Sequence, residues 1–283
     1  MKFVSLLMIL QSCSLSDLRT QEIKLNNNYE ESKAKAVSIL EALVKKQGYT
    51  ILDSNSTYEI TAKDHWKGVM GKLANGWTWN NDAFKMYFTT QNFNGQVEVL
   101  EGEKQGFMAG IQDWNYYEKE NGVLKISKPK HKGIPFMLAA FHYFFELGPR
   151  LFEAPFIRYM KEDVLFDQKV DKIFVSWGNE KSEKYDQYVL WINQTSGLID
   201  AVTYTVREKY MISPNNVVAT IRFTDYQEVD GVFIPFKQTI QMNQPQQNLE
   251  QYIHQLTIQE FKWNSFPASK LKPFPNLTPK LKK

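Results

Sequence analysis

The side chains able to do covalent or acid–base chemistry are few and scattered. The chain has one thiol, Cys13, and four imidazoles, His65, His131, His142 and His254. A thiolate is the natural nucleophile for acyl or glyceryl transfer, and Cys13 follows an apolar run, Phe3 to Leu10, that itself follows Met1-Lys2. With one cysteine there is no internal disulfide. The histidines have no i,i+3 or i,i+4 partner and no neighbouring cysteine, so their spacing does not describe a metal site. His142 lies in an apolar stretch and reads as a core residue. His65, in Asp64-His65-Trp66, is the imidazole best suited to polar work, in what reads as a loop. Gly-x-Ser-x-Gly, P-loop and Gly-x-Gly-x-x-Gly patterns are all missing, so no nucleophile elbow or cofactor cradle is indicated and no cofactor is expected. A glycosidase-type hydrolase needs two carboxylates across a cleft. Asp113, Asp186 and Asp200 are the acids to consider, whereas Asp225 and Asp230 read as a strand-end and a turn residue.

Aromatic residues suggest a different chemistry, the binding of apolar groups. They make up 14% of the 283 residues, with 19 Phe, 14 Tyr and 7 Trp. Trp77, Trp79, Phe107, Trp114, Tyr116 and Tyr117 fall within two or three expected strands, where alternate residues share a face. Rings pack cores by default; the sharper reading is an apolar cavity lined by Trp77, Trp79, Phe107, Trp114, Tyr117, Phe141 and Phe145. His65 or Arg207 would then supply polar groups at its mouth.

Composition narrows the classes. Net charge is +3, and the dense basic segments are Lys128-Pro129-Lys130-His131-Lys132 and the tail from Lys270 to Lys283, which read as a solvated loop and a frayed end, so no nucleic-acid partner is indicated. The tail carries four prolines within PASKLKPFPNLTPKLKK and reads as extended. At the other end, the basic start, the short apolar run and Ser12 before Cys13 have the layout of a secretory signal, and the run is too short to span a bilayer.

The elements follow from periodicity. Tyr29 to Gln47 places Ala36, Val37, Ile39, Leu40, Leu43 and Val44 at helical spacing, with acids early, lysines late and Gly48 as stop. Beyond it the period becomes two: Trp77-Thr78-Trp79, Phe84 to Thr90, Val97 to Glu101 and Gln105 to Tyr117 read as strands joined by hairpins. The clearest series is Tyr185 to Asn193, Leu198 to Glu208, Val217 to Tyr226, Val232 to Met242 and Leu249 to Trp263, with short turns that force antiparallel neighbours. Leu198, Val202, Tyr204 and Val206 share one side, as do Val217, Ala219, Ile221 and Phe223, which predicts one dry face. A second helix from Gly133 to its Gly148-Pro149 stop has no charge between Lys132 and Glu146 and must be buried, as a plug or lid with Gly133 and Gly148 as hinges. The expected fold is α+β, mainly antiparallel β: a curved half-barrel meander covered by an N-terminal amphipathic helix and a central apolar helix.

Leu10-Gln11-Ser12-Cys13 resembles the bacterial lipobox, with Gln11 a less usual occupant, and its tolerance is similar to that of Bacteroidetes lipoproteins. The resemblance implies a signal peptide over 1–12 and a diacylated Cys13. Residues 13–28 would be the lipidated N-terminus and a polar tether, 29–266 a single domain and 267–283 the tail. Ser14 stands where an inner-membrane retention signal would place Asp, which suggests the outer membrane, facing the periplasm. A lipobox, a tether, one amphipathic helix and a curved sheet closed over by helices resemble the lipoprotein-carrier fold of the LolA and LolB type. The run Tyr188-Val189-Leu190-Trp191-Ile192-Asn193, then Thr195-Ser196-Gly197-Leu198-Ile199 and Phe223 to Pro235, is similar to uncharacterised lipoproteins related to that fold. That likeness implies a membrane-anchored periplasmic lipoprotein binding an apolar lipid or acyl ligand, or another envelope component. The alternatives are an envelope hydrolase using a carboxylate pair and a structural scaffold whose cavity is filled by its own helix.

Overall fold

The computed structural model describes residues 15–53, 56–207 and 216–280. Cys13 and the apolar run before it lie outside the described residues. Thirteen strands form one open, curled sheet. Six belong to the first half: β1 (Thr57–Trp66), β2 (Ala83–Thr89), β3 (Gly95–Val99), β4 (Met108–Gln112), β5 (Asn115–Glu120) and β6 (Val123–Ile126). Seven belong to the second: β7 (Phe156–Leu165), β8 (Gln168–Ser176), β9 (Gln187–Asn193), β10 (Ile199–Thr205), β11 (Val218–Val229), β12 (Val232–Met242) and β13 (His254–Trp263). Each half is an antiparallel meander, and the two are sewn together where β1 pairs antiparallel with β13. The chain therefore starts mid-sheet, reaches one edge at β6, crosses to the other edge at β7 and returns to the middle.

Helices fill the hollow of the sheet. The helix α2 (Tyr29–Gln47) has the bounds its periodicity predicts. Gly48 ends it at φ +84°, and a Cβ there would fall 2.0 Å from the Gly231 carbonyl oxygen, so only glycine fits. Ala36, Leu40 and Leu43 of α2 pack with Ile173, Val175 and Leu190 over the second meander. The apolar helix α4 (Gly133–Phe145) buries Ile134, Met137, Leu138, Phe141 and Phe145 among Phe84, Met86, Val97 and Ile111 of the first. The expected stop at Gly148-Pro149 is corrected: α5 (Leu147–Leu151) runs through it. Pro149 sits in the first turn of α5, where its missing N–H leaves no bond unmade.

The expectation of one dry face holds only for the concave side. Val202, Tyr204, Ile221 and Phe223 face the helices as the alternation predicts. On the convex side Thr203 and Thr220 are also buried and share a 2.9 Å hydrogen bond. Part of this side is covered by residues 15–28, for which the tether reading is corrected. That segment contains α1 (Gln21–Lys24) and drops Leu18 and Ile23 onto Val189, Trp191 and Ala201. Arg19 pairs with Asp17 at 3.0 Å. Burial works against the Asp17 carboxylate, but bonds from Arg19 and Gln187 outweigh it and hold its pKa at about 2. The tail is likewise a strap and not a frayed end. Leu271 is fully buried, Gln112 bonds both the N–H and the carbonyl of Phe274, and Phe274 packs on Tyr117.

Other expectations are revised strand by strand. Trp77-Thr78-Trp79 lies in the loop between α3 (Gly68–Ala74) and β2, outside any strand. The strands β1, β7 and β8 and the helix α3 have no counterpart in the sequence reading. Among the described residues no helix is long and apolar enough to cross a membrane.

Candidate functional site

The hollow is not completely filled. Between α4 and the second meander lies a groove with a cavity volume of about 140 Å³. One wall is α4, with Phe136, Met137, Ala140 and Phe144. The opposite wall is sheet: Tyr204 of β10, Ala219 and Ile221 of β11, Ile240 and Met242 of β12. Alternation explains the second wall, since every one of these residues lies on the concave side of its strand. Met70, Leu73 and Ala74 of α3 line the groove as well. Val69, Met70 and Leu73 are 74%, 43% and 64% exposed, an apolar patch continuous with the groove.

The groove lining includes two polar side chains besides the Tyr204 phenol, Gln238 and His254, both almost fully buried. Register sets their relation. Ile240 faces His254 and Gln238 faces Leu256, so Gln238 and His254 are diagonal neighbours on one face. Across the other edge of β13, Trp66 faces His254 and stacks on its ring at 3.8 Å. Asp64, two residues back on β1 and fully buried, accepts a 2.9 Å bond from the Trp66 indole and lies 3.4 Å from His254 Nε2. Burial pushes the Tyr204 hydroxyl well above its usual pKa, reinforced by Asp186, so it stays neutral.

The aromatic cluster divides. Phe141 lines the groove. Trp77 and Trp79 stack on each other at 4.7 Å, with Phe141 and Phe107 against them, and Phe145 packs beside Tyr58. These rings form solid core next to the groove. Trp114 sits in the two-residue β4–β5 turn, where Asp113 and Trp114 have φ of 48° and 60°, and packs on Phe93. Tyr117 is on the convex face under the tail. His65 is on β1, not in a loop; it is exposed on the convex side, with Nδ1 2.8 Å from the Tyr252 hydroxyl. Arg207 donates to the Ser16 hydroxyl and carbonyl in the N-terminal strap. Neither is at the groove. Sequence reasoning passed over His254 and Gln238 because both stand in polar runs; the cross-strand register with Trp66 is what reveals them.

The candidate acids are not a facing pair at the groove. Asp113 is a turn residue, Asp186 accepts from Thr205, and Asp200 accepts from Asn193 on the convex side. The lining itself contains no carboxylate among the described residues. Gly133 and Gly148, the expected hinges, both stand at close approaches. A Cβ on Gly133 would fall 2.4 Å from Gly76, and one on Gly148 would fall 2.8 Å from the Gln47 amide oxygen. Both glycines serve the close packing of α4 and α5.

A second anchor of α4 is the buried carboxylate Glu146. It accepts from His142 at 2.8 Å, the Tyr58 hydroxyl at 3.1 Å and the Gln91 N–H at 3.0 Å, and pairs with Arg150 at 2.8 Å. Burial opposes its charge, but these partners prevail and hold its pKa below the usual carboxylate range. Burial likewise depresses His142, so its imidazole is neutral.

The architecture is thus an open, curled antiparallel sheet with helices in its hollow and an apolar groove beside them. No family model matches the chain, and no curated protein matches it. Among solved structures it is similar to a LolA superfamily protein from Nitrosomonas europaea, at 10% identity and TM-score 0.47, over 86% of this chain and 99% of that one. It is also similar to a DUF1329 family protein from Desulfovibrio piger, at 9% identity and TM-score 0.49, over 83% and 96%. At these identities and scores the likeness carries neither a ligand nor a residue role to this chain.

Proposed function

We propose that the chain is an envelope lipoprotein, anchored through lipid on Cys13 to the periplasmic face of the outer membrane, whose groove takes up an apolar chain of lipid or acyl type. The groove carries this reading: its walls are almost wholly apolar. The exposed apolar residues of α3 beside it give such a chain a surface on which to enter. The protein lacking residues 1–14, titrated with the neutral dye N-phenylnaphthylamine, is expected to give saturable fluorescence. Alkyl ligands should displace the dye, with affinity rising about fourfold per methylene, from ~0.8 kcal/mol per buried CH₂, until the groove is full. Phe144→Asp, on the wall, should abolish binding in a folded protein. Dye binding that never saturates, or displacement indifferent to chain length, overturns the reading. The anchor is tested separately: Cys13→Ala should leave the salt-washed membrane fraction.

A further inference from the structure

The floor of the groove holds a chemical preference that apolar walls alone would not. Both ring nitrogens of His254 and the Gln238 side-chain nitrogen are buried and hydrogen-bonded to nothing among the described residues, although Nε2 lies 3.4 Å from the Asp64 carboxylate. Buried polar groups are ordinarily satisfied, so two such groups on one face of a binding groove mark a place for a ligand atom. Their Cα atoms are diagonal cross-strand neighbours, roughly 7–8 Å apart, a separation that lets both side chains reach one small group. The His254 ring is held between the stacked Trp66 on one side and the edge of Phe141, with Nε2 turned toward the Asp64 carboxylate. The Asp64 carboxylate 3.4 Å from Nε2 favours the proton on that nitrogen, which leaves Nδ1 a lone pair to offer, and Gln238 offers an N–H.

We propose that the ligand ends in a neutral hydroxyl, seated where it donates to His254 Nδ1 and accepts from Gln238. The wanted head is therefore an alcohol, as on a long-chain alcohol or the glycerol of an acylglycerol. A carboxylate head would bring a second negative charge close to the fully buried Asp64, and an ether or alkyl end could not donate to His254. Asp64 acts through His254, fixing which nitrogen faces the groove.

This inference rests on the groove being a ligand site, and the test separates the two. N-phenylnaphthylamine bound to the protein lacking residues 1–14 is displaced with tetradecanol, its methyl ether and tetradecanoate. The expected order is alcohol tighter than either of the others by at least tenfold. Gln238→Met, close to isosteric and leaving the Asp64–His254 pair in place, should lose most of the advantage of alcohol over ether, measured against its own dye affinity. His254→Phe, which keeps the stack on Trp66, should do the same where it folds. Failure of the dye to bind overturns the groove as a ligand site. Dye binding with tetradecanoate preferred, with no preference among heads, or with a preference unchanged in Gln238→Met overturns the hydroxyl seat alone.

Discussion

Filling the groove from within gives opposite signs for an open and a closed hollow. Ala140 stands on α4 in the wall facing the sheet, only partly buried, between Phe136 and Phe144 on the helix surface. Ala140→Phe would project a ring into the groove. Burying a phenylalanine is worth about 1.5–3 kcal/mol. Lower helix propensity removes about 0.5 kcal/mol, and lost rotamer freedom removes a similar amount. The net expectation is a gain of about 0.5–2 kcal/mol, read as a higher urea midpoint with an unchanged m-value. The same ring displaces the ligand: losing two buried methylenes, at ~0.8 kcal/mol each, weakens a chain about fifteenfold. Had the space been packed, overfilling would instead destabilise by about 1–3 kcal/mol. A variant destabilised by that amount, with dye affinity unchanged, would refute the open groove.

Arg158 is 1% exposed and donates to Ser32 Oγ, Asn26 Oδ1 and the Asn27 carbonyl, so Arg158→Met should destabilise by about 3 kcal/mol and speed proteolysis within residues 15–28. Because burial depresses the pKa of His142, the unfolded chain takes up that proton first; stability should be full above about pH 6.5 and fall below it by at most about 1.4 kcal/mol per pH unit. Urea midpoints between pH 7 and 5 measure this slope, and His142→Gln should flatten it. Glu146, held low, adds a further loss at more acid pH, as its carboxylate protonates. Leu271→Ala removes a fully buried side chain from the C-terminal strap and should lower stability by about 2–5 kcal/mol in thermal or urea unfolding.

What could be read in the sequence tracks how strongly each element repeats. The helix α2 and the strand β12 are bounded by glycines or short turns and keep their period throughout, so their limits were legible. The strands β7 and β8 were not, because exposed charged residues such as Lys161, Glu162 and Lys169 interrupt their apolar alternation. The two straps hold by sparse anchors, Leu18 and Ile23 at one end and Leu271 and Phe274 at the other, within otherwise polar or proline-rich runs. Such anchors have no period to detect. At the site, the wealth of aromatic residues was visible but their faces were not: Trp77 and Trp79 lie in a loop, and Tyr117 points to the convex side. His254 and Gln238 acquire meaning only through pairing with β1 and with each other, which joins residues far apart in the chain.

The seam between β1 and β13 also orders events in time. Each meander is made of local hairpins, but the pairing of Tyr58 with Trp263 brings together residues from nearly opposite ends of the described chain and must wait for a very long loop to close. Trp66 and Asp64 come from one side of that seam and His254 from the other, so the floor of the groove comes into being only with this closure. A nascent chain has its hairpins in prospect but no groove floor yet. Occupancy is thereby tied to completion of the fold, and a bound chain, touching both sides, would act as a clasp on the last join to form.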